Sequence, residues 1–184
     1  MNNQIYFVGG ASAAGKSTIS KELAVCYSLP LVELDKFHDI LIPVIGEREL
    51  LIETTSEVAL AAVELLLKTK AACIIEGGWI KPAQAHMLKN NFCSRFCPVY
   101  CGYPGAGVAT RYLAIQANGT HWLNDKPRSE AHAFLTTQIK ESAEYKQECE
   151  RFQLAFFDFT DFSAGSKALR AHFEMWLQKA EESA

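Results

Sequence analysis

Five short runs of apolar, strand-favouring residues punctuate the chain: Gln4-Ile5-Tyr6-Phe7-Val8, Leu31-Val32-Glu33-Leu34, Ala72-Cys73-Ile74-Ile75, Phe96-Cys97-Pro98-Val99-Tyr100 and Ala155-Phe156-Phe157. Each is nearly continuous in apolar character instead of alternating, the pattern of parallel strands covered on both faces. Pro98 lacks an N–H, which predicts the start or an edge position within the fourth run.

Between the runs the period turns helical. Residues 16 to 28 predict a first helix, stopped by Pro30. A second is expected to start at Thr54, whose spacing to Glu57 fits a capping box. Its apolar stripe would be Val58, Ala61, Ala62, Leu65 and Leu66. A short helix begins near Pro82, a favoured first-turn residue, and ends at Asn90-Asn91. The last carries Leu169, Phe173, Trp176 and Leu177 on one face and frays into a polar tail from Lys179.

This alternation predicts the α/β class: a three-layer α/β/α arrangement around a five-stranded parallel sheet. One stretch, Tyr103 to Arg151, breaks the rhythm. It reads as a helix through 106–117, a polar loop through 118–128 and a charged helix through 129–150. Long polar insertions of this kind are usually functional, so a helical lid is expected over about 105–150. No linker or repeat divides the chain, and residues 1–184 read as a single domain.

Composition narrows the partners. A net charge of -3 argues against a generic nucleic-acid binder. No apolar run approaches the roughly 18 residues of a membrane span, and the N-terminus shows no secretory signal. Cys93, Cys97 and Cys101 recur every fourth residue, but no CxxC pair is present, and Pro98 interrupts any helix that would align them. Several of the six cysteines sit inside strand-like runs, as reduced thiols do. The cytoplasm is the expected compartment.

The chemistry concentrates after the first strand. Gly10-Ala11-Ser12-Ala13-Ala14-Gly15-Lys16-Ser17 matches GxxxxGK[ST] at every fixed position, with a strand before it and a helix after it. Glycines let successive N–H groups turn toward phosphate oxygens, and the helix at Lys16 adds its positive end. Lys16 is expected at the β- and γ-phosphates, the Ser17 hydroxyl on Mg²⁺, and Thr18 at the α-phosphate. A structural alternative, a Gly/Ala-rich helix cap, would match this pattern by chance only on the order of once in a hundred chains.

The loop, the chain length and the strand–helix rhythm resemble the small P-loop kinases, the group containing adenylate, shikimate and gluconate kinases. The DxxG and NKxD signatures of GTPases are missing, as is the strand-terminal Asp-Glu of AAA+ and ABC ATPases. The resemblance implies ATP and Mg²⁺ as cofactors and a role for Asp35, at the end of the second strand, as proton acceptor or metal organiser. It also implies a Walker B-like role for Glu76, and close approach of an acceptor at Gly77 and Gly78. Glu76 to Pro82 further resembles the EG-then-Pro pattern of 2-phosphoglycerate kinase-like proteins. Trp79 either walls the acceptor pocket or is an ordinary half-buried aromatic. His38 and Asp39 line the pocket, or are a satisfied polar residue and a helix cap. The segment of about 36–70 would form the acceptor side.

Lids in this group bring arginines over the phosphates, which singles out Arg111 and Arg128, with Lys126 beside them, or leaves them as solvated surface groups. Thr160, Asp161 and Phe162 would pack on adenine, or Asp161 or Ser163 would cap the last helix. The resulting expectation is a kinase that transfers the γ-phosphate of ATP to a hydroxyl of a small-molecule acceptor. The alternatives are a nucleoside or nucleotide-sugar phosphotransferase, and a nucleotide-binding module or ATPase acting on a protein partner. A homodimer is compatible with this reading; nucleic acid and membrane are not expected partners.

Overall fold

The computed structural model describes residues 4–69, 72–119 and 121–182. Thr120 of the polar loop and the last two residues of the tail lie outside them. Strands β1 (Ile5–Gly10), β2 (Leu31–Glu33), β3 (Cys73–Glu76), β4 (Phe96–Gly102) and β5 (Ala155–Asp158) form one sheet in the order β2-β3-β1-β4-β5. Every pairing is parallel. Pro98 sits near the start of β4, and pairing with β5 begins only after it, at Val99.

The strands alternate between two helical layers. Tyr6 faces helix α7 (Phe162–Glu182), meeting Phe173 edge-on at 4.8 Å and Trp176 at 5.2 Å. Tyr27 of α1 (Lys16–Tyr27) joins the same cluster. Phe7, one residue on, points the other way to Phe96 and Tyr100. Tyr100 in turn stacks on Tyr145 of helix α6 (Arg128–Phe152). Helix α4 (Pro82–Phe92) packs on that face too, against β4 and α6. The α/β/α layering is as the apolar pattern predicts.

Three expectations need correction. Strand β1 runs two residues past Val8, because Gly9 and Gly10 lie so close to β4 that side chains would collide with the Tyr100 ring and the Cys101 carbonyl. A glycine pair reads as a strand end in sequence; here it allows close strand packing. Helix α3 (Arg48–Lys68) begins a turn and a half before Thr54, which is not a cap. Its buried row is Leu51, Thr55, Ala59, Val63 and Leu67, while Leu65 of the expected stripe is 65% exposed. The helix carries one polar stripe, Glu49, Glu53, Glu57, Glu64 and Lys68, but the rest of its surface is largely apolar, so periodicity leaves more than one candidate face. Its neighbours choose it: α3 packs against α4 and against helix α2 (Asp35–Leu41), which opens directly at the end of β2. Finally, the polar loop between α5 (Val108–Ala117) and α6 is not wholly superficial, since it buries Leu123.

Helix α6 is more than a surface cover. It buries Ala131, Leu135, Gln138, Ser142, Tyr145 and Cys149, and it lies across β4 and against β5. Among the described residues, no helix is long and apolar enough to cross a membrane.

Candidate active site

Parallel strands deliver their carboxyl ends to one edge of the sheet, where open α/β folds bind ligands. The loop after β1 wraps tightly there. Gly10 and Gly15 hold φ of +116° and +96°, in the region where a side chain is strained. A Cβ on Gly10 would lie 2.0 Å from the Cys101 carbonyl oxygen, and one on Gly15 would meet the Phe162 ring at 2.5 Å. Lys16 is only 7% exposed and arches back over the loop to donate to the Ala11 carbonyl at 2.8 Å. Thr18 follows in the first turn of α1, whose free N–H groups face the loop.

The next two strand ends bring carboxylates to this loop. Glu76, at the end of β3, is 1% exposed, and its Oε1 accepts from the Ser17 hydroxyl at 3.1 Å. Its second oxygen, Oε2, is buried with no hydrogen-bond partner among the described residues. Burial pushes the Glu76 carboxyl up from its ordinary value and nearby Asp35 adds to this, while Lys16 and the Ser17 hydroxyl pull it back. Asp35, at the first position of α2, accepts from the Trp79 indole N–H at 2.8 Å. A hydroxyl, a buried carboxylate with a spare oxygen and a second carboxylate form a hard oxygen donor set. That set suits Mg²⁺, and a hydrated cation would satisfy Oε2.

Trp79 is itself held from three sides. His38 stacks on its ring at 4.9 Å, the Ser56 hydroxyl donates to its carbonyl at 2.9 Å, and its indole holds Asp35. His38 reaches Thr55 Oγ1 at 3.3 Å. Gly77 has a φ of +153°, and a Cβ there would press on Leu34 at 2.7 Å. Gly78 brings its backbone against Gly10, where a Cβ would stand 3.3 Å from the Gly10 carbonyl. The loops after β1 and β3 are therefore in backbone contact. Asp39 does not join them; it pairs with Lys36 at the surface.

The expected arginines divide. Arg111 is half-buried beside the phosphate loop, donates to the Ala13 and Phe159 carbonyls, and lies 4.4 Å over the Tyr103 ring. It ties the phosphate loop to the loop after β5. Arg128 is exposed, and its contacts are His132 and the Tyr112 ring, not the phosphate loop; Lys126 is exposed as well. On the β5 side, Thr160 accepts from the Gly105 N–H, and Asp161 accepts from the Ala164 N–H as the cap of α7. Phe162 closes over Gly15.

Four residues escaped the sequence reading. The Tyr103 hydroxyl donates to the Ser12 carbonyl at 2.9 Å, and the Ser12 N–H donates to Gln138 Oε1 at 2.6 Å. Farther along α6, Tyr145 donates to the Gly78 carbonyl at 3.3 Å and accepts from Lys81 Nζ at 2.9 Å. Burial works against the Lys81 ammonium, yet Tyr145, Glu141 and Glu148 outweigh it and push its pKa up. Lys81, Glu141, Glu144, Tyr145 and Glu148 line a cleft of about 250 Å³. Gln138, Glu141 and Tyr145 fall on one helical face at spacings of three and four. That row was hidden in a segment legible only as charged.

No family model and no curated protein matches the chain in sequence. Solved structures do match in shape. A shikimate kinase from Bacteroides thetaiotaomicron superposes with a TM-score of 0.61 at 14% identity, covering 93% of this chain and 98% of that one. A gluconokinase from Sinorhizobium meliloti 1021 gives 0.59 at 16% identity, over 96% and 97%. A shikimate kinase from Acinetobacter baumannii, in complex with shikimate, gives 0.59 at 20%, over 96% and 94%. The fold is that of the small P-loop kinases. In this small P-loop kinase-like fold, the GxxxxGK[ST] loop, Asp35 and Glu76 stand together at one sheet edge, with Trp79 and the α6 row flanking them.

Proposed function

We propose that the protein is an ATP- and Mg²⁺-dependent kinase that transfers the γ-phosphoryl group to a hydroxyl of a small-molecule acceptor. One observation supports this above the others. The orphaned Glu76 oxygen, the Ser17 hydroxyl and a Trp79-held Asp35 converge beside a phosphate loop whose lysine is already buried in place.

Lys16 and the N–H groups at the start of α1 hold the phosphate chain and offset the charge that builds on the transferred group. Ser17, Glu76 and Asp35 would hold Mg²⁺, which would supply neutralisation of the phosphate charge. Asp35 takes the proton of the attacking hydroxyl as that hydroxyl becomes acidic during attack. The Trp79 indole keeps one carboxylate oxygen occupied and so fixes the orientation of the other. Gly77 and Gly78 let the acceptor approach the phosphate loop without side chains in the way. Arg111 joins the donor-side loops by their backbone, and the loop ahead of α6 would serve as the lid while α6 itself stays fixed across β4.

The cleft between Lys81 and α6 carries three carboxylates against one ammonium, which is already bonded to Tyr145, and none of Asp35, Gly77, Gly78 and Trp79 lines it, so it does not define the acceptor. The test is a screen of neutral, amino and acid polyols with radiolabelled ATP, run alongside Asp35→Asn. Phosphorylation of one class by the wild type, falling about a hundredfold or more in Asp35→Asn with ATP affinity retained, is the expected result. Steady ATP turnover with no acceptor from any class would favour an ATPase with a protein partner. Acceptor phosphorylation unchanged in Asp35→Asn would remove Asp35 from the chemistry.

A further inference from the structure

Gln138 is an amide in the middle of a helix, where amides usually point to water, yet it is 6% exposed. Both ends of its side chain are used. Oε1 accepts the Ser12 N–H at 2.6 Å, and Nε2 donates to Glu141 Oε2 at 3.0 Å. The first bond spans 126 positions of chain and reaches into the middle of the phosphate loop. The next peptide is gripped too, at the Ser12 carbonyl, by the Tyr103 hydroxyl. About two turns farther along α6, Tyr145 takes hold of Gly78 in the loop after β3. One face of one helix thus touches the donor loop through Gln138 and the acceptor loop through Tyr145.

Rigid spacing between those two points matters for group transfer. A helix rises about 1.5 Å per residue and does not stretch, so the α6 row sets the separation of the two loops as a ruler would. A misplacement of about 1 Å between reacting groups can lower a rate on the order of a hundredfold. We propose that Gln138 is a positioning residue: through the Ser12 peptide it locks the outer limb of the phosphate loop to α6 and so sets where the γ-phosphate sits relative to the acceptor loop. This rests on the kinase reading of the site. It also assigns a purpose to a buried amide that core packing alone would disfavour, since an apolar side chain of that size avoids the need for two partners.

The bond joins two parts of the chain itself, which allows a measurement that does not depend on catalysis. Gln138→Leu keeps the bulk and removes both hydrogen bonds; Gln138→Glu keeps an acceptor for Ser12 and removes the donor to Glu141. Exchange of the Ser12 amide, read by NMR without nucleotide, is expected to quicken at least tenfold in Gln138→Leu and to stay slow in Gln138→Glu. With MgATP alone as the probe, Gln138→Leu is expected to lose roughly tenfold to a hundredfold in kcat for ATP turnover while KM for ATP moves less than about threefold. A merely structural loss would lower the amount of folded enzyme without that split.

Unchanged Ser12 exchange in Gln138→Leu overturns the brace, and so does equally fast exchange in Gln138→Glu should the leucine variant fail to fold. Faster exchange with unchanged kcat overturns the positioning role. A wild-type protein that binds no ATP by calorimetry removes the kinase reading and the role in transfer with it. The exchange result would then still decide whether α6 holds the loop, so the two failures are distinguishable.

Discussion

Glu76→Gln separates stability from function at the centre of the site. Glu76 is 1% exposed, its Oε2 has no partner among the described residues, and burial holds its carboxyl above the ordinary value of 4.5. A buried polar atom left unsatisfied costs about 1–3 kcal/mol. The amide keeps the bond from Ser17 and leaves its NH2 unpartnered where Oε2 stood, so only the cost of the buried charge is relieved; with the countercharge to Lys16 lost as well, the net gain is about 1 kcal/mol. For a domain of this size, about 1 kcal/mol moves Tm by roughly 2–4 °C. Glu76→Gln is therefore expected to melt roughly 2–4 °C above the wild type near pH 8. The pH dependence follows from the direction of the shift. With a raised folded pKa, the folded state keeps a proton that the unfolded chain has already released, so wild-type stability falls as pH rises from about 4.5 through the raised value. The gap between variant and wild type should shrink as pH is lowered into that window. MgATP should reverse the ranking: at about a hundred times Kd it adds about 2.7 kcal/mol to the wild type, and the variant, lacking the metal-facing carboxylate, should gain little. Differential scanning fluorimetry across pH, with and without MgATP, reads all of this. A variant that melts at or below the wild type near pH 8, or that gains as much from MgATP, would refute the assignment of Oε2 to a cation.

Two further outcomes test other parts of the structure. Trp79→Phe keeps an aromatic ring against His38 but deletes the hydrogen bond to Asp35. Bonds to charged groups are worth about 1.5–3 kcal/mol, so MgATP turnover should fall roughly tenfold to a hundredfold with KM for ATP unchanged; an equal rise in KM would assign Trp79 to nucleotide binding instead. All six cysteines are free, but only Cys26 and Cys93 are exposed, and burial pushes the thiols of Cys73 up to about 11 and of Cys97 and Cys149 up to about 12. Disulfide-exchange labelling of the native protein near pH 8 should therefore find two fast thiols, and all six only after unfolding; a third fast thiol would show that one of these strands or α6 is open to solvent.

The parts of the site that lie close to a strand end in sequence were legible, and those that reach it across the fold were not. Five apolar runs predict five parallel strands, and parallel strands bring every following residue to the same edge. Asp35, Glu76 and Gly77-Gly78 could thus be placed beside the GxxxxGK[ST] loop from chain order alone. The face of α3 could not, because Glu49, Glu53, Glu57, Glu64 and Lys68 mark solvent on one side only, while Leu50, Leu51, Ile52, Val58, Ala59 and Leu65 spread apolar character round the rest. Its orientation follows from α2 and α4, which hide Thr55 and expose Leu65. Arg111, expected over the phosphates, lies beside the loop with its bonds to the Ala13 and Phe159 carbonyls, and a backbone acceptor leaves no residue type to read. Gln138 and Tyr145 were illegible for a related reason. Their partners are the peptide groups of Ser12 and Gly78, so nothing in the composition of the loops calls for an amide or a phenol on a helix more than sixty residues away. What does mark them is a mismatch within α6 itself: polar residues repeat at spacings of three and four on the face that packing requires to be buried. In a helix otherwise rich in exposed charge, a buried polar row is explained only by partners on another element, and here that element is the pair of loops between which a phosphoryl group would have to pass.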